Sequence, residues 1–198
     1  MFTKTQEEIL KIFVSKINKK FSINEIATFL KKPYPLIHRS TKALLENGFL
    51  AADERKLLYI NYQDHFPELA YIESQRTKER ILKQKSVSLF LEDCLRGIKE
   101  DFFIFLIFGS FVEKNKFRDL DILLIVNKKE GIEKMEKIIS NLASNFSFKI
   151  DLSVISIESA YEMLSKREKL NVLNESLNKH LIVFGGENYY RILKNARG

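Results

Sequence analysis

The chain has 198 residues, 45% of them hydrophobic and 12% aromatic, and its 33 basic and 26 acidic side chains give a net charge of +7. This apolar content excludes global disorder, and seven Gly and three Pro exclude collagen-like or low-complexity chains. The longest apolar run, Phe102–Phe108, is seven residues, whereas a membrane-spanning helix needs about 20, so no membrane role is expected. The single Cys94 excludes an internal disulfide, and the acidic Glu7 and Glu8 are atypical of a signal peptide, so a cytoplasmic location is expected.

The excess positive charge lies mainly in the first third of the chain. Residues 1–62 carry 11 basic and 6 acidic side chains, a net of +5. Residues 63–100 balance at 7 and 7, and residues 101–198 carry 15 and 13. A basic N-terminal part favours a polyanionic partner, with nucleic acid first, although a lysine-rich solvated surface would give the same count.

Three helices are predicted in the first 48 residues. The first covers 5–17, where apolar residues recur at helical spacing at Ile9, Leu10, Phe13, Val14 and Ile17. Ser22 and Glu25 form a capping box that begins the second helix, and the Pro-rich segment after it ends that helix. Pro35 is predicted as the first residue of the third helix, which Gly48 ends.

Two short strands, over 49–53 and 55–61, are predicted to follow around a turn. This order of three helices and a hairpin resembles the winged helix-turn-helix family over about residues 4–62. The segment Leu44–Leu50 resembles the end of the recognition helix in that family. The resemblance implies that the third helix lies in the major groove of double-stranded DNA and that the wing lies near phosphates. The implied DNA-binding residues are Tyr34, His38, Arg39, Ser40, Lys42, Arg55 and Lys56. Winged helices also serve as protein–protein modules, which is the alternative.

A polar segment is predicted to connect this domain, residues 1–62, to a second one. Residues 63–85 have sparse apolar positions and no proline after Pro67, which predicts an exposed helical connector. The apolar pattern then becomes denser and predicts a helix that packs on the second domain, residues 86–198. Cys94 lies in this helix and is interpreted as a small half-buried hydrophobe rather than a catalytic thiol.

Residues 102–198 alternate between strand and helix patterns. Buried strands are predicted over 102–108, 119–126 and 149–155, and a helix over 132–146. A last strand and a short helix complete the chain. The alternation predicts an α+β fold with a small mixed β-sheet flanked by helices. His65 and His180 are isolated in the sequence, and no role is predicted for them.

Three aspartates interrupt these strands. Asp119 and Asp121 are two residues apart at the start of a strand, so they project to one face about 6–7 Å apart. Because unpaired buried carboxylates are costly, a divalent cation is expected, and Mg²⁺ suits carboxylate and phosphate oxygens. Asp151 would be the third carboxylate if its strand is a neighbour. Gly109 and Ser110, directly after the first buried strand, would admit and bind a phosphate.

The order of these features resembles the nucleotidyltransferase fold of the DNA polymerase β superfamily, and most closely its minimal prokaryotic nucleotidyltransferases. The resemblance covers about residues 86–195. It implies that Gly109 and Ser110 hold the triphosphate of an NTP, that Asp119 and Asp121 bind two Mg²⁺ ions, and that Asp151 completes the catalytic and metal-binding triad. The implied reaction transfers a nucleoside monophosphate to a hydroxyl of a protein, a nucleic acid or a small molecule, and releases pyrophosphate.

The sequence departs from the family after Gly-Ser. In the family, Gly-Ser is usually followed by a basic residue or Tyr, then by Ala, Arg or Lys, and then by Gly. Here Phe111–Lys114 follow instead, and Arg118 takes the place of the usual Ser before the first aspartate. Lys114, Lys116 and Arg118 could compensate by pairing with phosphate. Three hypotheses follow: an active nucleotidyltransferase with a DNA-binding winged helix, a transcriptional regulator that senses nucleotide without turnover, and an interaction protein of the toxin–antitoxin type. A homodimer is an expectation by analogy with other winged helices.

Overall fold

The computed structural model describes residues 2–114, 116–167 and 169–198, and within these ranges the fold is α+β. The helices are α1 Lys4–Val14, α2 Ile23–Leu30, α3 Tyr34–Glu46, α4 Phe66–Ile81, α5 Lys85–Gly97, α6 Ile132–Ala143, α7 Ile157–Ser165, α8 Val172–Ser176 and α9 Gly186–Arg197. The strands are β1 Leu50–Ala52, β2 Leu58–Ile60, β3 Phe103–Phe108, β4 Asp119–Val126, β5 Lys149–Ser156 and β6 His180–Phe184. Two short 3₁₀ turns cover Gly109–Val112 and Lys129–Gly131.

The three predicted N-terminal helices are present, and the second begins at its predicted cap. The Ser22 hydroxyl accepts the Glu25 N–H, and the Glu25 carboxylate accepts the Ser22 N–H, so the predicted capping box forms. Helix α3 begins at Tyr34, which leaves Pro35 in its second position rather than its first. Both positions suit proline, because the first turn of a helix leaves its N–H groups without intrahelical partners.

The hairpin that follows α3 is shorter than predicted. The Asp53 carboxylate accepts the N–H groups of Arg55 and Leu57, and Lys56 adopts a left-handed backbone, so residues 53–57 form the turn. The strand predicted from residue 55 therefore begins at Leu58. Leu58 also pairs with Phe21, so the segment between α1 and α2 lies against the hairpin.

The larger sheet has four strands in the order β5-β4-β3-β6 and is mixed, as predicted. Strands β4 and β5 are parallel, and the other two pairs are antiparallel. The side chains of β3 from Phe103 to Ile107 are buried on both faces, which explains its continuous apolar run. Helices α5 and α6 cover the face that includes Phe105, whereas α4, α7 and α9 cover the face that includes Leu106.

The segment predicted as an exposed connector contains α4, and one face of that helix is buried. Leu69, Ile72 and Glu73 are fully buried, and Thr77 is nearly so. They pack against α1 and α9. The expectation of an exposed helix is therefore wrong for this face. It fails because two of the buried side chains are polar, which makes the apolar pattern look sparse.

One apolar cluster joins the N-terminal part to the sheet. It includes Ile9 and Leu44 from the N-terminal helices together with Leu106 from β3 and Leu193 from α9. The N–H of Ile17 also donates to the carbonyl of Leu177 at 3.1 Å. None of the helices in the described ranges combines the length and apolar character that a membrane crossing requires.

Candidate functional site

The register of the sheet brings the predicted carboxylates to one edge. Asp121 on β4 is directly paired with Asp151 on β5, so the two strands are neighbours as the prediction required. Paired residues on parallel strands project to the same face about 4.8 Å apart, and Asp119 shares that face because it lies two residues before Asp121. Asp119 and Asp121 are half-buried and Asp151 is exposed. The three aspartates therefore occupy one end of one face.

Gly109 makes room for the Asp121 carboxylate. Its φ is +70°, in the left-handed region that favours glycine, and a Cβ there would lie 1.9 Å from Asp121 Oδ2. The N–H of Ser110 donates to the same carboxylate. The predicted pair Gly109-Ser110 thus contacts Asp121 directly, although the prediction attributed the glycine to the approach of a phosphate.

The electrostatics of Asp121 favour a nearby cation. Burial raises the pKa of its carboxyl, and the charges of Asp119 and Asp151 raise it further, while the Ser110 N–H opposes the shift. Each of these two neighbours disfavours the ionised form of Asp121. A divalent cation at this edge would reverse the effect, because it would neutralise the repulsion among the three carboxylates.

The donor set suits Mg²⁺, but the side chains are not gathered around a metal position. Three carboxylates provide hard oxygen ligands, as Mg²⁺ prefers. In the part of the chain that the structure describes, however, no group of three or more His, Cys, Asp or Glu side chains could hold a metal ion as placed. The Asp121 carboxylate bonds to Ser110 instead. Its rotation toward Asp119 and Asp151 is the adjustment that metal binding would require.

Arg80 of α4 holds the turn that follows β3. Its Nε donates to the Phe111 carbonyl at 2.8 Å, and its guanidinium also donates to the Lys114 carbonyl. The guanidinium lies over the Phe111 ring, 4.7 Å from its centroid. Burial lowers the pKa of Arg80. The role of Arg80 has no local signal in the sequence, since the arginine lies in a polar helix 31 positions before its partner.

A buried polar cluster lies on the other side of β3 from Asp121. In the sheet register, Phe108 is paired with Asp121 on β4 and with His180 on β6. His180 Nε2 lies 3.0 Å from Glu73 Oε1 and its Nδ1 lies 2.8 Å from the Ser176 carbonyl. No role was predicted for His180, because its partner Glu73 lies 107 positions away in the sequence.

Two further groups complete this cluster around Glu73, which is fully buried. Arg76 pairs with Glu73 Oε2 at 2.6 Å, and the Tyr190 hydroxyl donates to Oε1 at 3.3 Å. Burial alone would raise the pKa of Glu73, but the charges and hydrogen bonds of Arg76 and His180 lower it below its ordinary value. Both ring nitrogens of His180 thus contact oxygens, one from the Glu73 side chain and one from the Ser176 backbone.

The residues predicted to contact DNA are exposed, with one exception. Tyr34, His38, Arg39 and Lys42 lie on the outer side of α3, and Arg55 and Lys56 lie in the hairpin turn. Ser40 is 8% exposed, so it presents little surface for the DNA contact predicted for it. It lies three residues after Ile37 and four before Leu44, on the buried stripe of α3, and this spacing was visible in the sequence.

Cys94 on α5 is fully buried, which agrees with its interpretation as a packing residue. Burial first, and then the neighbouring Asp93, raise the pKa of its thiol to about 12. A thiolate at neutral pH is therefore strongly disfavoured, and nucleophilic chemistry at this position is not supported.

Comparisons with protein-family models, curated proteins and solved structures found no match to this chain. Its function is therefore inferred from the arrangement of its own residues, above all the three aspartates and the turn beside them.

Proposed function

We propose that the protein is a Mg²⁺-dependent nucleotidyltransferase that transfers a nucleoside monophosphate from an NTP to a hydroxyl acceptor. The observation that carries the proposal is the direct pairing of Asp121 with Asp151, beside a Gly109-Ser110 turn whose backbone contacts Asp121. Carboxylates at a strand end next to hydrogen-bond donors at the start of a helical turn are what a metal–triphosphate complex requires. The antiparallel β3–β4 pair with β5 parallel to β4 supports the resemblance to the nucleotidyltransferase fold.

In the proposed reaction, the acceptor oxygen bonds to the α-phosphorus, and the bond from that phosphorus to the bridging oxygen breaks, which releases pyrophosphate. Asp151, the most exposed of the three aspartates, accepts the hydroxyl proton. The Ser110 hydroxyl and N–H hold the phosphates, and Asp119 and Asp121 hold the cation. When bound, Mg²⁺ neutralises charge on the carboxylates and on the phosphate oxygens.

We also propose that residues 1–62 form a winged helix-turn-helix that binds double-stranded DNA. Three helices, a hairpin and the Phe21–Leu58 bridge support this fold assignment. The exposed Arg39 and Lys42 on α3, together with the net charge of +5, support double-stranded DNA as the ligand.

The catalytic proposal is tested with α-labelled NTPs, Mg²⁺ and candidate acceptors of the three chemical classes. We expect label transfer by the unmodified protein and by Asp101→Ala, which removes an exposed aspartate elsewhere in the chain. Asp119→Ala and Asp121→Ala should lower transfer by about 10³-fold or more, because they remove groups that act as one unit. Transfer that is unchanged in Asp121→Ala would exclude this mechanism.

A second candidate function is nucleotide sensing without turnover. It is favoured by the altered sequence after Gly-Ser and by Arg80, which binds the carbonyls of Phe111 and Lys114 and so fixes this turn. Mg²⁺-dependent NTP binding that is lost in Asp121→Ala, without label transfer to any acceptor tested, would favour this function over catalysis.

A further inference from the structure

A basic cleft of about 290 Å³ lies beside the Gly109–Val112 turn, on the side away from Asp121. Strand β3 separates β4 from β6, and the residues just before β6 flank the turn on this side. The cleft is lined by Lys16, Arg76, Arg80, Lys83 and Lys179. Glu79 and Glu113 also line it, so the described lining residues include five basic and two acidic side chains, with a net charge of +3.

The two acidic side chains of the cleft already have basic partners. Glu79 pairs with Lys11, outside the cleft, at 2.6 Å. Glu113 accepts from Lys16 at 3.5 Å through one carboxylate oxygen and from Lys179 at 3.3 Å through the other. Burial opposes ionisation of Glu113, but the two lysines outweigh it and lower the pKa of its carboxyl.

The contact with Glu113 shows how closely the two lysines converge. Lys16 follows α1 and Lys179 precedes β6, so residues from opposite ends of the chain face one carboxylate. Their side chains are 31% and 34% exposed, and that of Glu113 is 52% exposed. Both ammonium groups therefore lie within reach of a single oxyanion. Because the Glu113 side chain between them is half exposed, an anion from solvent can take the place of its carboxylate.

We propose that this cleft binds the phosphate groups of a ligand between Lys16 and Lys179, in place of the Glu113 carboxylate. A phosphate group offers more acceptor oxygens than a carboxylate, and an oligophosphate carries more charge, so it can use both lysines and the net charge around them. The chemistry fits a free oligophosphate or the backbone of a single-stranded nucleic acid. The site requires neither the metal nor the transfer reaction, so it goes beyond the proposed function.

The test is isothermal titration with pyrophosphate at low salt and with divalent cations removed. Lys179→Gln and Lys16→Gln should each weaken binding about tenfold or more, as expected for the loss of one charge-assisted hydrogen bond. Glu113→Gln should strengthen binding, because it frees both lysines. The matched controls are Lys137→Gln and Glu136→Gln on the exposed side of α6, which change the total charge by the same amounts.

Weaker binding in Lys179→Gln and stronger binding in Glu113→Gln, each change larger than in its control, would support the proposed phosphate site. For a probe that binds, equal affinities of Lys179→Gln and Lys137→Gln, or no gain in affinity in Glu113→Gln, would overturn it. Glu113 is a surface residue, so its variant keeps the test decisive even if a lysine variant folds poorly. The removal of divalent cations separates this cleft from the proposed catalytic site, where phosphate binding depends on the metal.

A single-stranded oligonucleotide without terminal phosphates distinguishes the two sources of phosphate. If Lys179→Gln weakens oligonucleotide binding but pyrophosphate does not bind, the ligand is a nucleic-acid backbone. If Lys179→Gln weakens the binding of both probes, a free oligophosphate also fits the site. If neither probe distinguishes Lys179→Gln from Lys137→Gln, the proposal is excluded.

Discussion

At the scale of single residues, Gly109 and Asp121 depend on each other. The backbone of Gly109 has a φ of +70°, and the Asp121 carboxylate occupies the space where a Cβ would lie. The same carboxylate has a raised pKa, caused first by burial and then by Asp119 and Asp151. An unfavourable charge held in a fixed position is typical of functional sites rather than of residues selected for stability.

We therefore predict that Gly109→Ala abolishes label transfer and lowers stability. The left-handed backbone costs a residue with a Cβ about 1–2 kcal/mol, and the new methyl group must displace the Asp121 side chain. Urea unfolding measures the loss of stability, and the label-transfer assay measures the loss of activity.

Gly131→Ala is the matched control for this substitution. Gly131 has no positive φ, and the nearest atom to its added Cβ would be 3.8 Å away, so stability and transfer should be unchanged. An active Gly109→Ala variant would show that the contact with Asp121 has no part in function.

At the scale of elements, α4 is fixed to the sheet by the cluster around Glu73. His180 comes from β6 and Tyr190 from α9, so one carboxylate connects three elements. Arg76, from α4 itself, bonds to its second oxygen. Breaking a buried ion pair by removing one partner leaves the remaining charges uncompensated, which is strongly destabilising.

We predict that Glu73→Gln lowers the free energy of unfolding by about 3–5 kcal/mol at pH 7. The pKa of Glu73 is lowered in the folded state, so its contribution is present above the ordinary value of 4.5 and is lost as the pH falls through the folded value. The difference between the two proteins should therefore shrink in urea unfolding below about pH 4.5.

Glu136→Gln, an exposed variant on α6, is the control and should differ little from the unmodified protein at any pH. A gap between Glu73→Gln and the unmodified protein that stays constant down to pH 3 would contradict the assignment of an ionised Glu73 in the buried cluster.

Helix α3 carries the second prediction at this scale. Arg39→Ala and Lys42→Ala should each weaken binding of double-stranded DNA and reduce its salt dependence by about one released counterion per phosphate contact. Ser40→Ala is the matched control, because Ser40 lies between them on the helix but is buried. Fluorescence anisotropy over a range of salt concentrations measures both quantities. Absence of duplex binding at low salt, or equal loss in Ser40→Ala, would contradict the proposed interface.

At the scale of the whole molecule, local patterns predict local structure well. The capping box at Ser22, the buried strand over 102–108 and the common face of Asp119 and Asp121 all follow from spacings of a few residues. The pairing of Asp121 with Asp151 could be predicted only on the condition that their two strands are neighbours. The choice of neighbours is made by packing of the whole chain.

Contacts between distant segments could not be predicted from the sequence. Glu73 and His180 each look unremarkable alone, since a polar helix and an isolated histidine carry no sign of a common partner. The same holds for Arg80 and the carbonyl of Phe111. Ser40 is different, because its position on the apolar stripe of α3 was visible and the resemblance to a DNA-binding family was given more weight.

The most direct test of the proposed function is whether Asp121 and Asp151 hold a metal ion together with a nucleotide. Mn²⁺ replaces Mg²⁺ as a paramagnetic probe, and its binding in the presence of a non-hydrolysable NTP analogue is measured by electron paramagnetic resonance. We predict nucleotide-dependent Mn²⁺ binding by the unmodified protein and by Asp101→Asn, and affinities at least about tenfold lower for Asp121→Asn and Asp151→Asn. Equal Mn²⁺ affinity in Asp121→Asn and the unmodified protein would contradict the proposed site.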